Sequence, residues 1–173
     1  ALHYTKGHGF YEQYKKGEDL ADYGFDRPVV GTDTIFATDL IRRKWLDNDF
    51  YGATFSVEYE PSSQVDLVIG GAWNQYDGDH YGEIIWSQFA GNTSIRDRYY
   101  QNNGLKTDFT SYAKLSWVPV DNLTLFGDVQ YRKVAHALNG IDSDLQLIHE
   151  ENTYNFFNPK VGVTYQLSNN SLV

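Results

Sequence analysis

The densest run of chemically capable residues is Asp77-Gly78-Asp79-His80-Tyr81-Gly82-Glu83, where three carboxylates and an imidazole stand close together. Oxygen donors at that density suit calcium, and an added imidazole suits a transition ion. The spacing matches no established metal loop, and a solvated external loop explains it as well, so no metal ligand is assigned. His3 and His8 are five residues apart on an alternating segment, point to opposite faces and do not share an ion. His136 and His149 sit near the two ends of one polar stretch and could approach each other. Glu58 and Glu60 share a strand face, and paired carboxylates can hydrolyse glycosides; standing just before a turn, they are explained better by solvation. Arg42-Arg43-Lys44 is the one basic run, suited to lipopolysaccharide phosphate or another anion, or simply surface charge. Tyr76, Tyr81, Tyr99 and Tyr100 lie in or near the same long polar stretch as Asp77, and tyrosine offers contact area at little conformational cost; they contact a ligand or pack the loop. Tyr76, Asp77, Asp79, His80, Tyr81, Arg96 and Tyr99 form the candidate ligand-contact set. No G-x-S-x-G elbow, phosphate-cradling loop or histidine–nucleophile pairing is evident. No catalytic residue or cofactor is assigned, and the chain is not expected to be an enzyme.

The elements that must position these residues read as strands. The 173 residues suffice for one domain. Aromatic residues make up 16%, with 14 Tyr, 10 Phe and 4 Trp, yet mean hydropathy is negative, so apolar residues are dispersed among polar ones. No stretch approaches the ~18 apolar residues of a membrane helix. Cysteine is absent, which excludes disulfides and thiolate metal sites. A net charge of -9 argues against a nucleic-acid partner, which needs a basic surface. The chain starts at Ala1 and alternates at once, as a fragment beginning inside a strand would.

A half-buried strand alternates apolar and polar residues because successive side chains point to opposite faces. Tyr51, Ala53, Phe55, Val57 and Tyr59 share one face; Val65, Leu67, Ile69, Gly71 and Trp73 share another. The same holds for Phe109, Ser111, Ala113, Leu115 and Trp117, and for Leu123, Leu125, Gly127, Val129 and Tyr131. Phe157, Pro159, Val161, Val163, Tyr165 and Leu167 make the fifth set, and residues 1–14 give a weaker sixth strand. Polar residues such as Asp66, Asp108, Lys114, Asp128 and Arg132 occupy the other face.

Two features favour a membrane over a soluble sandwich. Tyr51 and Tyr59, Phe109 and Trp117, and Phe157 and Tyr165 are each eight residues apart on one face. That is roughly 27 Å of strand, or about 20 Å along the membrane normal at a ~40° tilt, near the ~25 Å apolar band of an outer-membrane barrel. Aromatic rings favour both interfaces, so Tyr51, Tyr59, Trp73, Phe109, Trp117, Tyr131, Phe157 and Tyr165 are the expected girdle. The connections are also asymmetric. Turns at Pro61-Ser62-Ser63, Pro119-Val120-Asp121-Asn122 and Leu167-Ser168-Asn169-Asn170 are short; those at residues 15–45, 77–106 and 134–152 are long, as periplasmic turns and external loops are. Pairing Tyr59 with Val65 and Trp117 with Leu123 sets Tyr51 opposite Trp73 and Phe109 opposite Tyr131.

Segments 2–14 and 41–52, and the hairpin 111–131 with its Val118-Pro119-Val120-Asp121-Asn122-Leu123 turn, resemble barrel strands of TonB-dependent outer-membrane receptors, especially those of Bacteroidetes. The resemblance covers most of the chain. It implies a transmembrane barrel of about 22 strands with an N-terminal plug, of which this all-β chain supplies an antiparallel up-and-down meander of about six long strands. It further implies residence in the bacterial outer membrane and uptake of a nutrient such as siderophore-iron, haem, cobalamin or a glycan. The implied partners are lipid, the nutrient and, through the whole protein, plug and TonB complex. With open edges and an oily face, the isolated chain is expected to self-associate, or to fold its long loops back over that face. The competing reading is a soluble β-rich carbohydrate-binding or surface-adhesion module whose aromatic residues form its core.

Overall fold

The computed structural model describes residues 1–91, 93–168 and 171–172. The chain is all-β, with 80% of it in strands. Its elements are β1 (Leu2–Glu18), a single 3-10 turn (Leu20–Tyr23), β2 (Val29–Val30), β3 (Asp33–Thr34), β4 (Thr38–Ser62), β5 (Val65–Ser87), β6 (Arg98–Val120), β7 (Leu123–Ile141), β8 (Leu147–Ser168) and β9 (Ser171–Leu172). The six long strands form one antiparallel meander in the order β1-β4-β5-β6-β7-β8, with β9 beside the end of β8; β2 and β3 make a separate small hairpin. The sheet is open and does not close into a barrel.

At one end the strands reverse through two-residue turns, Ser63-Gln64 and Asp121-Asn122. Each turn is bonded to the strand beyond its own hairpin: Val118 N–H of β6 donates to the Gln64 carbonyl, and Gln166 N–H of β8 to that of Asn122, both at 2.8 Å. Asn169 and Asn170 of the third expected turn lie outside the described residues.

The other end corrects the expected long loops. Residues 77–87 and 98–106 belong to β5 and β6, leaving a connection of 88–97; the β7–β8 connection shrinks to 142–146, and the first loop to 19–37. The alternation that marks a strand fades in these segments because neither face meets a uniform environment. The ladder continues because every backbone N–H and C=O still needs a partner and the neighbouring strand supplies it. The strands therefore reach 19 to 25 residues in β4–β8, beyond the usual length.

The register is also corrected by two residues. Tyr59 pairs with Leu67, Ala53 with Trp73 and Tyr51 with Gln75. Trp117 pairs with Leu125, Phe109 with Lys133 and Ser111 with Tyr131. The strands run on through Pro61-Ser62 and Pro119-Val120 into the tighter turns, with an irregularity just before each. An even shift keeps every side chain on its expected face. Tyr51 and Trp73 still meet, as diagonal neighbours with ring centres 5.8 Å apart.

The small core lies at the loop end. Leu20, Tyr23, Leu40, Tyr99 and Tyr100 are buried together, with Phe25 and Ile84 packed against them. Asp19 caps the 3-10 turn by accepting from Ala21 N–H at 3.0 Å, and is held by the Arg27 guanidinium at 2.8 Å. Gly24 ends the turn at φ 74, a left-handed position that suits glycine. A bulge opposite Gly82 and Glu83 lays both tyrosine rings over Gly82, where a Cβ would meet Tyr99 and Tyr100 carbons within 2.5 Å.

Candidate membrane interface

Odd-numbered residues of β4, β5, β6, β7 and β8 share one face through most of the ladder, joined by even-numbered residues of β1; this is the odd face. Near the tight turns it carries Ala53, Phe55 and Val57; Leu67, Ile69 and Gly71; Ser111, Ala113 and Leu115; Leu125, Gly127 and Val129; and Pro159, Val161 and Val163. None is charged, and Ser111 alone is polar. Among the described residues no segment outside the sheet covers this band: Val57 is 61% exposed, Val163 69% and Val161 91%. The loops do not fold back over this face, contrary to one expectation.

Aromatic rings bound this band on both sides. On the loop side the line runs from Tyr4, opposite Tyr51, through Trp73, opposite Phe109, to Tyr131, opposite Phe157. On the turn side stand Tyr59, Trp117 and Tyr165, with Val65 and Leu123 at matching heights. The interval is eight residues on every strand from β4 to β8, so the band keeps one height while the register steps across the sheet.

The even face is mostly polar over the same height, with Val68, Ala72 and Phe126 as its apolar exceptions. Lys114 lies opposite Asp128, and Asp128 opposite Lys160. Arg132 grips Asp108 with two nitrogens, Nε at 3.0 Å. Glu58 and Glu60 are exposed here.

Beyond the loop-side aromatic line the odd face changes character. Four register rows cross β1, β4, β5 and β6: Lys6, Asp49, Asp77, Leu105; His8, Asp47, Asp79, Asn103; Phe10, Trp45, Tyr81, Gln101; and Glu12, Arg43, Glu83, Arg98. Lys6 bridges Asp47 and Asp49 at 2.8 and 3.0 Å, while the Asn103 amide donates to Asp77 and Asp79 at 2.7 and 2.9 Å. Hydrogen bonding from Lys6 holds the Asp47 carboxyl below its usual range, and bonds from Tyr4 and Lys6 do so for Asp49.

The candidate ligand residues are thereby re-placed. Tyr76, Asp77, Asp79, His80 and Tyr81 stand on β5 and Tyr99 on β6, not in a loop; Arg96 alone is in a connection, at φ 71. Asp77, Asp79 and Tyr81 lie on the odd face, whereas Tyr76 and His80 lie on the even face, 3.4 Å apart. Tyr99 is buried in the loop-end core, its hydroxyl without a hydrogen-bond partner among the described residues. His136 and His149 occupy opposite faces, the first stacked on Tyr154 and the second bonded to Asn139, so they do not meet. His3 and His8 are likewise on opposite faces, beside Phe50 and Trp45. Among the described residues no three His, Asp or Glu side chains are placed to hold a metal.

The sequence reading missed the loop-end cover of the even face. Lys44 lies under Tyr100, 5.5 Å from its ring centre, and burial lowers its pKa. Asp144, at the tip of the β7–β8 hairpin, is close enough to act on the same charge, and Leu145 comes within 3.5 Å of where a Cβ on Gly24 would be. The 3-10 turn and this distant tip therefore meet over the even face. Basic residues on one strand and tyrosines on others signal this contact only once the register is known. No protein-family model matches the chain, and no curated protein matches it.

Proposed function

We propose that these strands are part of a larger outer-membrane β-barrel, with the odd face toward lipid between the two aromatic lines and the even face toward a water-filled lumen. The observation that carries this reading is the charge-free, uncovered band of constant height. Eight residues of tilted strand give about 20 Å, close to the apolar band of such barrels. A soluble binding module would instead bury Phe55, Ile69, Leu115, Val129 and Val163, all exposed here. The open edges of β1 and β8 would pair with further strands, and without them the chain would self-associate.

Together with the strand resemblance, this points to a receptor for TonB-dependent uptake of a scarce nutrient: siderophore-iron, haem, cobalamin or a glycan. Its plug and the TonB complex would act through the whole protein. In this orientation Tyr76, His80 and the cover around Lys44 face the lumen and are the better ligand contacts, whereas Asp77, Asp79 and Tyr81 face outward.

The four tryptophans supply the test. Trp73 and Trp117 stand at the two aromatic lines, Trp45 and Trp86 beyond them. In single-tryptophan variants inserted into vesicles, brominated acyl chains should quench Trp73 and Trp117 strongly and Trp45 and Trp86 weakly. A detergent-free, cooperative monomer with no such contrast overturns the proposal.

A further inference from the structure

The tip of the β7–β8 hairpin is a closed unit. Asp142 N–H donates to the Gln146 carbonyl at 2.9 Å, and Leu145 N–H to that of Asp142 at 3.1 Å. The Asp142 carboxylate accepts from the Asp144 and Gln146 N–H groups at 2.9 and 2.8 Å. Among the described residues no hydrogen bond or ion pair joins residues 142–146 to another segment. One side chain departs from what such a turn prefers. Leu145 stands at φ 61, a left-handed position that short hairpin loops usually give to glycine, because a Cβ is penalised there. That conformation sets Leu145 against the 3-10 turn. Its Cδ1 and Cδ2 lie 3.5 and 3.9 Å from where a Cβ on Gly24 would be. A strained residue held in place is a reason to look for a role.

The two sides of this contact are held unequally. The 3-10 turn is rooted in the core: Leu20 and Tyr23 are buried, Tyr23 lies edge-on to Tyr99 at 4.9 Å, and its hydroxyl donates to Glu18 at 2.7 Å. The hairpin tip has no such root, and Asp144 and Gln146 are exposed. In the sheet β5 and β6 lie between the strands that carry the two segments. The contact therefore spans the even face above Lys44 and Tyr100. Charge adds a weaker tie: Asp144 favours the Lys44 ammonium, which Arg42 and Lys15 oppose. Parting the two segments gives up one apolar contact and that charge attraction, and leaves every hydrogen bond of tip and turn in place.

We propose that the Leu145–Gly24 contact is a latch: it holds the hairpin tip over Lys44 and Tyr100, and its release opens that stretch of the even face to a ligand. The inference rests on the reading of the even face as the ligand-bearing side. The chain has no cysteine, so Lys44→Cys places a single thiol beneath the latch, and Lys114→Cys one on the same face far from it. With Lys44 replaced the charge tie is gone, and the leucine alone is read. Maleimide labelling of the chain in detergent micelles measures access. Adding Leu145→Gly should speed labelling at position 44 roughly fivefold, the factor that loss of one modest contact brings, and leave position 114 unchanged. Hydrogen exchange at the Asp144 and Gln146 amides should not speed up, because glycine adopts the left-handed conformation freely and the tip stays folded. Leu145→Met, which keeps a long apolar side chain, should stay close to the native rate. An unchanged rate at position 44 in Leu145→Gly overturns the latch, and so does a gain accompanied by fast exchange across the tip, which would mean that the hairpin unravels instead of swinging. If Trp73 and Trp117 are quenched by brominated lipid while Leu145→Gly changes nothing, the latch alone fails; if the latch opens and they are not quenched, the membrane orientation alone fails.

Discussion

Strand β4 shows two ways for one ladder to treat its side chains. From Tyr51 to Tyr59 its odd face carries Ala53, Phe55 and Val57 with no other described segment laid over them. From Leu40 to Asp49 the same strand carries charges bonded to neighbours on one face, and on the other Leu40, sealed at 0% exposure. The ladder with β5 runs through both halves, with one irregularity at Ile41 and Arg42. Hydrogen bonding therefore builds the sheet without regard to what its faces meet. The side chains record that separately: the apolar face of the turn half stays exposed, while the loop half is packed by the chain itself.

The sharpest way to break this contrast is to damage the half that has its own core. Leu40→Ala should cost about 2–5 kcal/mol, as removal of a fully buried leucine does. The loss should be local: hydrogen exchange should speed up across residues 19–37 and at Tyr99 and Tyr100, while strands between the aromatic lines stay protected. Uniform loss of protection would mean that the halves fold as one unit.

The turn half is probed by a charge. Ile69→Arg sits in the middle of the band and should cost about 2–4 kcal/mol in a bilayer. Leu105→Arg, on the same face beyond the loop-side aromatic line, should cost about 0–1 kcal/mol. Urea titrations in phospholipid vesicles measure both. Equal costs would remove the boundary that the aromatic line marks.

What the sequence revealed follows the same division. Period-two alternation located every strand of the turn half and the faces of Tyr51, Trp73, Phe109 and Tyr131, because one uniform environment had selected one side of each strand. It lost the strands at residues 77–87 and 98–106, where Asp77, Asp79 and Asn103 satisfy one another across the ladder. There polar residues on both faces imitate a loop. The register missed by two because the expected turn began at Pro61, and a proline at a strand end is compatible with continuing the strand. The contact of the 3-10 turn with Leu145 joins segments far apart in the chain, and no local pattern encodes it.

A titration sharpens the loop half further. Burial, then its bond to Glu18, pushes the Tyr23 phenol up to about 12. A raised folded pKa means that the neutral phenol is favoured in the fold. Its contribution is complete below the unfolded value near 10 and is lost as pH rises toward 12. Tyrosinate absorbance should show late-ionising groups, and release of residues 19–37 should follow that step with the turn half still protected. Tyr23→Phe should remove the step and cost about 1 kcal/mol for the lost bond. Release of the loop well below pH 10 would assign the anchoring to other groups.

The smallest effect lies at the seam between the halves. Asp49 faces Asp77 and Asp47 faces Asp79 in direct register, where like charges repel. Lys6 answers one column and the Asn103 amide the other, but an amide brings no positive charge. Asp77→Asn should therefore stabilise the sheet by about 0.2–1 kcal/mol at low salt. The gain should shrink at 1 M salt, where the screening length falls to about 3 Å. Lys6→Ala should destabilise by a similarly small amount, as exposed ion pairs do. In the Asp77→Asn background that loss should be smaller than in the native chain, because Lys6 would then offset less repulsion. An equal loss in both backgrounds would show that the two columns do not act on each other, and that the rows above the aromatic line are independent cross-strand pairs instead of one charged patch.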